Sequence, residues 1–257
     1  MPQQHQAALL DGVGKTLRVG PVQTKKPGPG EILVRPAAVA INPIDVKEQA
    51  HGVFYQSWPI ILGSDVTGEI IEVGEGVAAP FSVGSKVALL THHVQYRTSE
   101  YGGFQELVLS ATSSAFILPE GLSDQEAVVL PLGLATSAAA FFQPGSSLGL
   151  DISGLKQQSP EKKGETVVVW GGSSSVGSAA IQLAVAAGYD VVSTASPRNF
   201  GAVKELGARA VFDYNSPEII DQIVGEFQGG AKFAGAFDGE SIIIACPVFL
   251  HHPTAYT

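Results

Sequence analysis

Small, flexible residues set between an apolar run and a helix-like stretch form the pattern that receives phosphate groups. Residues 166–170 read TVVVW, residues 171–177 read GGSSSVG, and SAAIQLAVAAG follows to residue 188. In a dinucleotide-binding turn one glycine permits the tight bend, one lets the backbone approach the pyrophosphate, and one lets helix and sheet pack closely. The helix start adds free N–H groups and the positive end of its dipole. Gly172 and Gly177 fit the first and third roles, and Ser174 stands in the middle where glycine is usual. Ser173, Ser175 and Val176 complete the loop expected to face the phosphates. An ordinary Gly/Ser turn would share the spacing; the position after a strand and before an Ala-rich helix favours the phosphate reading.

The next strand bears on which cofactor carries that phosphate. An NAD site has Asp or Glu about twenty residues on, bonded to the ribose 2′-hydroxyl. Here residues 194–199 read TASPRN, with no acid but with the Ser196 hydroxyl, the Arg198 guanidinium and Asn199. A carboxylate repels a 2′-phosphate, whereas Arg and Ser bind one, so the expected cofactor is NADP(H). The alternative for Arg198 is a solvated residue at a helix start.

These residues need a scaffold, and the chain changes character partway along. Its first 110 residues read as short strands and turns. EILVRPAAVAIN follows the turn signal KKPGPGE, and GSDVTGEIIEVGEGV and FSVGSKVALL continue in β-like runs broken by glycine, as in a compact β-barrel. Ser123 with Glu126 three residues on is a capping box that opens a helix, and Pro131 kinks or breaks it. Residues 143–164 read as a loop. Strands at 166–170, 190–195, 208–212 and 233–238 then alternate with helices. These helices run to Gly188, around 199–206, and from Ser216–Pro217 with proline in the first turn. The expected class is α/β, with a β-barrel domain over residues 1–122 and a doubly wound parallel sheet over residues 123–257.

The 257 residues, 45% hydrophobic and 15% charged, suffice for a sizeable core. A net charge of −9 argues against nucleic acid. Cys246 is the one cysteine, so no intrachain disulfide forms. The N-terminus lacks the pattern of a signal peptide, and the apolar run IIIACPVFL at 242–250 is too short to span a bilayer. A cytoplasmic protein with no membrane partner is expected.

Taken together, AVAINPIDVK, PIILGSDVTGEIIEVGEGV, FSVGSKV, YGGFQELVL, LPLGLATSAAAFF, VVVWGGSSSVGSAAIQLA and TASPRNFGAVKELGARAVFDY make the chain similar to the medium-chain dehydrogenase/reductases. Within that family it most resembles the zinc-independent quinone and enoyl reductases, especially the fungal trans-acting enoyl reductases of polyketide assembly. The resemblance covers residues 6–238. It implies a GroES-like substrate domain and a Rossmann domain with the active site in the cleft between them. It assigns Asn42, Lys47 and Thr136 to that cleft, Lys47 beside the nicotinamide, and Tyr214 beside the adenine ribose phosphate. Alternatives are a solvated Lys47 and an Asn42 that forms the turn before Pro43. Zinc-dependent members carry a Cys near Ile44–Asp45 and a Glu in the segment that here reads GSDVTG; this chain has no such Cys and has Asp65 instead of the Glu. His92–His93 and His251–His252 are adjacent pairs, not helical ligand pairs, so no metal is expected.

The implied reaction is NADPH-dependent reduction of the C=C bond of an α,β-unsaturated carbonyl, on a polyketide-like, carrier-bound or quinone-like small molecule. Family members continue for about another half-domain after GAFDGES. A shortened Rossmann sheet leaves an edge that IIIACPVFL, a second copy or another partner would cover. A non-redox cyclase or dehydratase of secondary metabolism, or a binding pseudoenzyme, is the alternative on this shortened fold.

Overall fold

The computed structural model describes residues 3–55, 57–92, 98–143, 148–157, 160–228 and 230–239. His93, Cys246, His251, His252 and the run IIIACPVFL lie outside the described residues. The chain divides into two compact units, Met1–Leu132 and Gly133–Thr257.

The first unit is antiparallel. Strands β1 (Gln4–Leu10), β2 (Arg18–Gln23) and β4 (Ile60–Ile61) form one sheet in the order β2-β1-β4. Strands β3 (Glu31–Ala40), β5 (Asp65–Val73), β6 (Lys86–Leu90), β7 (Val108–Ala111) and β8 (Ala115–Ile117) form another in the order β7-β3-β5-β6-β8. Side chains alternate across a strand. Ile32 and Val34 therefore join Val66, Ile70, Val87, Leu89 and Val108 in one core, while Leu33 packs with Leu107 and Leu109 in another. The register of β3 against β5 shifts at Leu33/Val34 and at Pro36/Ala38, and such bulges bend a sheet toward a half-barrel.

A helix interrupts this β region where strands and turns were expected. Helix α1 (Pro43–His51) follows the N-cap Asn42, carries proline in its first turn, and ends at Gly52 in the left-handed conformation. Proline suits the first helical position because its missing N–H would be unpaired there anyway.

The capping box opens α2 (Asp124–Ala127), where Ser123 Oγ accepts the Glu126 N–H at 3.3 Å. Pro131 does break the helical run: it starts α3 (Pro131–Phe142) after three non-helical residues. The stretch Asp124–Phe142 that contains these helices is 19 residues of apolar composition, a length that could cross a membrane, yet the helical run is broken. Polar contacts bind its start to the first unit. Thr67 Oγ1 donates to the Asp124 carbonyl at 3.2 Å, and Lys86 pairs with Asp124 at 3.5 Å. These contacts carry the division between units ten residues past the expected boundary at 122/123.

Among the described residues the second unit holds four parallel strands, β9 (Glu165–Trp170), β10 (Asp190–Ala195), β11 (Ala210–Asp213) and β12 (Lys232–Asp238), in the order β11-β10-β9-β12. Helices α4 (Ser175–Ala186), α5 (Phe200–Glu205) and α6 (Ile219–Gly225) connect them. The last helix begins later than expected, because Ser216 and Pro217 form a turn in which Ser216 accepts from the N–H groups of Glu218 and Ile219. Parallel strands are buried on both faces, which explains the unbroken valines of β9. Val167 and Val169 pack with Ile181 and Ala184 of α4, and Val168 packs with Ile219 and Ile223. Residues 148–157 contain one 3-10 turn, Ser153–Lys156, and are otherwise a loop as expected.

Candidate functional site

The order β11-β10-β9-β12 reverses direction at β9, and GGSSSVG leaves the C-terminal end of that strand. Ligands of open α/β sheets bind at such a switch point. Gly171, rather than Gly172, makes the tight turn, with φ +74°. Its N–H donates to Thr194 Oγ1 at 3.0 Å, and the Gly172 N–H donates to the Thr194 carbonyl at 2.8 Å. Gly172 serves close approach instead: a β-carbon there would overlap the Ser193 hydroxyl. A β-carbon on Gly177 would overlap the Gly171 carbonyl, so a glycine here lets the first turn of α4 approach the loop.

Ser174 is the N-cap of α4. Its Oγ accepts the Gly177 N–H at 3.0 Å and lies within donating distance of the Gly171 and Gly239 carbonyls. The N–H groups of Ser173, Ser175 and Val176 make no hydrogen bond among the described residues. The loop is thus a cradle of donors kept free of side-chain bulk by two glycines, and a pyrophosphate fits it.

Within the same unit α3 lies against this cradle. Ser137 Oγ donates toward the Gly133 carbonyl and the Val176 carbonyl, each at 2.9 Å. A β-carbon on Gly133 would come 3.1 Å from Ser175 Oγ. Thr136, exposed, is the residue before Ser137. Neither Ser137 nor Thr194 was singled out from sequence; a serine four residues after a glycine in an otherwise apolar helix was the available signal.

At the end of β10, Ser196 is half-buried and Arg198 is exposed. Arg198 forms no ion pair among the described residues. Asn199 ends the 3-10 turn that follows Ser196. Asp213, beside Ala195 on the neighbouring strand, accepts from the N–H and the side-chain amide of Asn215, and Tyr214 is 42% exposed.

The first unit positions Asn42 and Lys47. Lys47 lies exposed on α1 and pairs with no acid among the described residues. Asn42 is half-buried and is held twice. Its N–H donates to Asp45 Oδ2 at 2.8 Å, and its Nδ2 donates to Asp65 Oδ2 at 2.9 Å. Asp45 Oδ1 also accepts from the Gly63 N–H at 3.0 Å, and Asp65 Oδ1 accepts from the Leu132 N–H at 2.8 Å. Both acids are at least 96% buried. Burial raises Asp45 above the usual carboxylate range against the pull of its hydrogen bonds. Burial likewise pushes Asp65 up to about 6; its two hydrogen bonds oppose the rise, and the charge of Asp45 adds to it.

Among the described residues no three His, Cys, Asp or Glu side chains converge as metal ligands. A cavity of about 570 Å³ in the first unit includes Leu9, Ile61, Leu107, Arg18 and Lys25 in its wall, away from Asn42. Its cations are already paired, Arg18 with Asp11 and Lys25 with Glu100.

The sequence pattern described as the alcohol dehydrogenase GroES-like domain matches residues 28–120. Dehydrogenase pigH of Monascus ruber is 41% identical over 231 residues, covering 88% of this chain and 62% of that protein. Trans-enoyl reductase tazE of Aspergillus terreus is 34% identical over 228 residues, covering 87% of this chain and 73% of that protein. A mycobacterial protein solved in complex with NADPH superposes with a TM-score of 0.60 at 27% identity, over 86% of this chain and 62% of that one. The chain therefore spans about three-fifths to three-quarters of the length of these relatives.

Proposed function

The chain belongs to the medium-chain dehydrogenase/reductase family, and from that premise we propose that it is an NADPH-dependent, zinc-independent reductase of α,β-unsaturated carbonyl compounds, acting in the cytoplasm. The observation that carries this reading is the pairing of an open donor cradle at 173–176 with a strand end, TASPRN, that carries no acid and whose Arg198 forms no ion pair among the described residues.

Bound NADPH would supply hydride to the β-carbon of the substrate. The N–H groups of Ser173, Ser175 and Val176 would hold the pyrophosphate, supported by the α4 dipole and by the room that Gly172 and Gly177 leave. Arg198 and Ser196, with Asn199 and Tyr214 beside them, would take the 2′-phosphate through charge-assisted hydrogen bonds. As hydride arrives, negative charge builds on the substrate carbonyl oxygen; Lys47 is the cation we assign to it, with Asn42 of the same unit orienting the substrate. The α-carbon then takes a proton from solvent. Polyketide-like enoyl thioesters, free or carrier-bound, are the substrate class we favour, because relatives include trans-enoyl reductases.

The test is a titration of the 257-residue chain with NADPH and NADH, following the fluorescence of Trp170, which immediately precedes the loop. Quenching by NADPH at concentrations where NADH has no effect, followed by NADPH consumption with an enoyl thioester, is the expected result. Absence of binding by either nucleotide overturns the reading.

A further inference from the structure

Asp65 opens β5 with 1% exposure, and each of its carboxylate oxygens accepts one neutral N–H donor, from Asn42 Nδ2 and from Leu132 in the first turn of α3. No cation compensates it: among the described residues it forms no ion pair. The charged group that faces it from α1 is Asp45, which carries the same sign. Its register partners, Ala40 on β3 and Leu90 on β6, are apolar, and α3 offers only a backbone N–H. Burying a carboxylate in this setting costs free energy that an apolar residue would not. Packing does not explain it. What the carboxylate does is fix an amide.

An ionised carboxylate only accepts hydrogen bonds. Asp65 therefore turns the NH₂ end of Asn42 toward itself and leaves the amide oxygen to face the Asp45 N–H in the capping box of α1, while Asp45 holds the Asn42 main chain. We propose that Asp65 is a positioning residue for the reaction: it locks the Asn42 amide at the start of α1, the helix that carries Lys47, and anchors the first turn of α3. The task of Lys47 rests on the enone-reductase reading; the lock itself does not. Protonating Asp65, or replacing it with Asn, sets a donor against one of two donors. One of the two bonds is then lost and the Asn42 amide is free to turn.

The test uses the full chain with NADPH and the crotonyl thioester of N-acetylcysteamine. Asp65→Asn is expected to lower kcat by roughly tenfold or more, as a misplaced orienting group does, while leaving the Kd for NADPH unchanged. The reversed pair Asn42→Asp with Asp65→Asn restores part of kcat, because the new amide can donate to the new carboxylate and still accept from Leu132. A kcat unchanged in Asp65→Asn overturns the proposal. If Asp65→Asn does not fold, Asn42→Ala replaces it. The wild-type kcat profile is expected to carry an acid limb near pH 6; Asn42→Ala must lack it, and a wild type without the limb or its persistence in the variant overturns the proposal. If wild type gives no turnover, the reductase reading fails by itself. The lock is then judged by the side-chain amide resonance of Asn42, which must titrate with Asp65; a flat titration overturns it.

Discussion

The hydroxyl of Ser174 accepts the N–H of Gly177 at 3.0 Å while lying 3.1 Å from the carbonyl of Gly239, beyond the end of β12. One side chain thus closes the α4 N-terminus internally and ties the cradle to a second strand. A glycine at this place would leave the Gly177 N–H open; the serine satisfies it and reserves the N–H groups of Ser173, Ser175 and Val176.

Removing that cap has a definite cost. Ser174→Ala is expected to lose about 1 kcal/mol of stability, and Ser174→Gly only a few tenths more or less, because glycine is itself tolerated at an N-cap. Denaturant unfolding of the two variants checks the order. If alanine and wild type unfold together, the hydroxyl caps nothing.

The glycines of the second unit separate into crowded and free positions. Gly177→Ala would drive a β-carbon onto the Gly171 carbonyl and to 3.0 Å from the Gly172 Cα. Backbone cannot give way as a side-chain tip can, so the expected cost is about 1–3 kcal/mol, with loss of NADPH binding. Gly201→Ala in α5 meets nothing within 4 Å, and should gain roughly 0.4–1 kcal/mol by reducing the freedom of the unfolded chain. Thermal melts of both variants decide the matter; a stabilised Gly177→Ala would contradict the crowding.

The parallel unit was legible because burial on both faces writes unbroken apolar runs such as TVVVW, and glycines and a capping serine punctuate them. Helix α1 was not, since INPIDVK continues a Val- and Ile-rich run and only Asn42, Pro43 and Asp45 signal a helix start. The compact units divide at 132/133 and the expected boundary lies at 122/123: a capping box at Ser123 announces a helix but not which sheet holds it, and Asp124 is bonded to Thr67 and Lys86. Two glycines in succession hid which one turns; the sequence suggested Gly172, and the positive φ belongs to Gly171. The Asp45–Asp65 pair left no pattern at all, because nineteen intervening residues separate acids that meet only when α1 folds back on β5.

Arg198 gives a prediction about cofactor choice. Charge-assisted hydrogen bonds contribute about 1.5–3 kcal/mol each, so Arg198→Ala should weaken NADPH binding by roughly ten- to a hundredfold while leaving NADH unchanged. Paired titrations of the two nucleotides read the difference directly. Equal loss for both would mean that Arg198 supports the fold rather than the 2′-phosphate.

Asp65 also makes stability depend on pH in a direction opposite to that of a paired surface acid. Its carboxyl is held at about 6 in the folded chain against 3.8 for an ordinary aspartate, so between these values the folded state binds more protons than the unfolded one. Stability from this group is therefore greatest below about pH 4 and falls as pH rises through 6, by a total on the order of 3 kcal/mol. Asp65→Asn has no such titration. The stability of wild type minus that of Asp65→Asn should shrink steadily from pH 4 to pH 7, whatever the other carboxylates contribute, since they are common to both chains. Urea unfolding of the pair across that range measures the difference, and a difference that is constant or grows with pH would show that the buried carboxyl titrates like an exposed one.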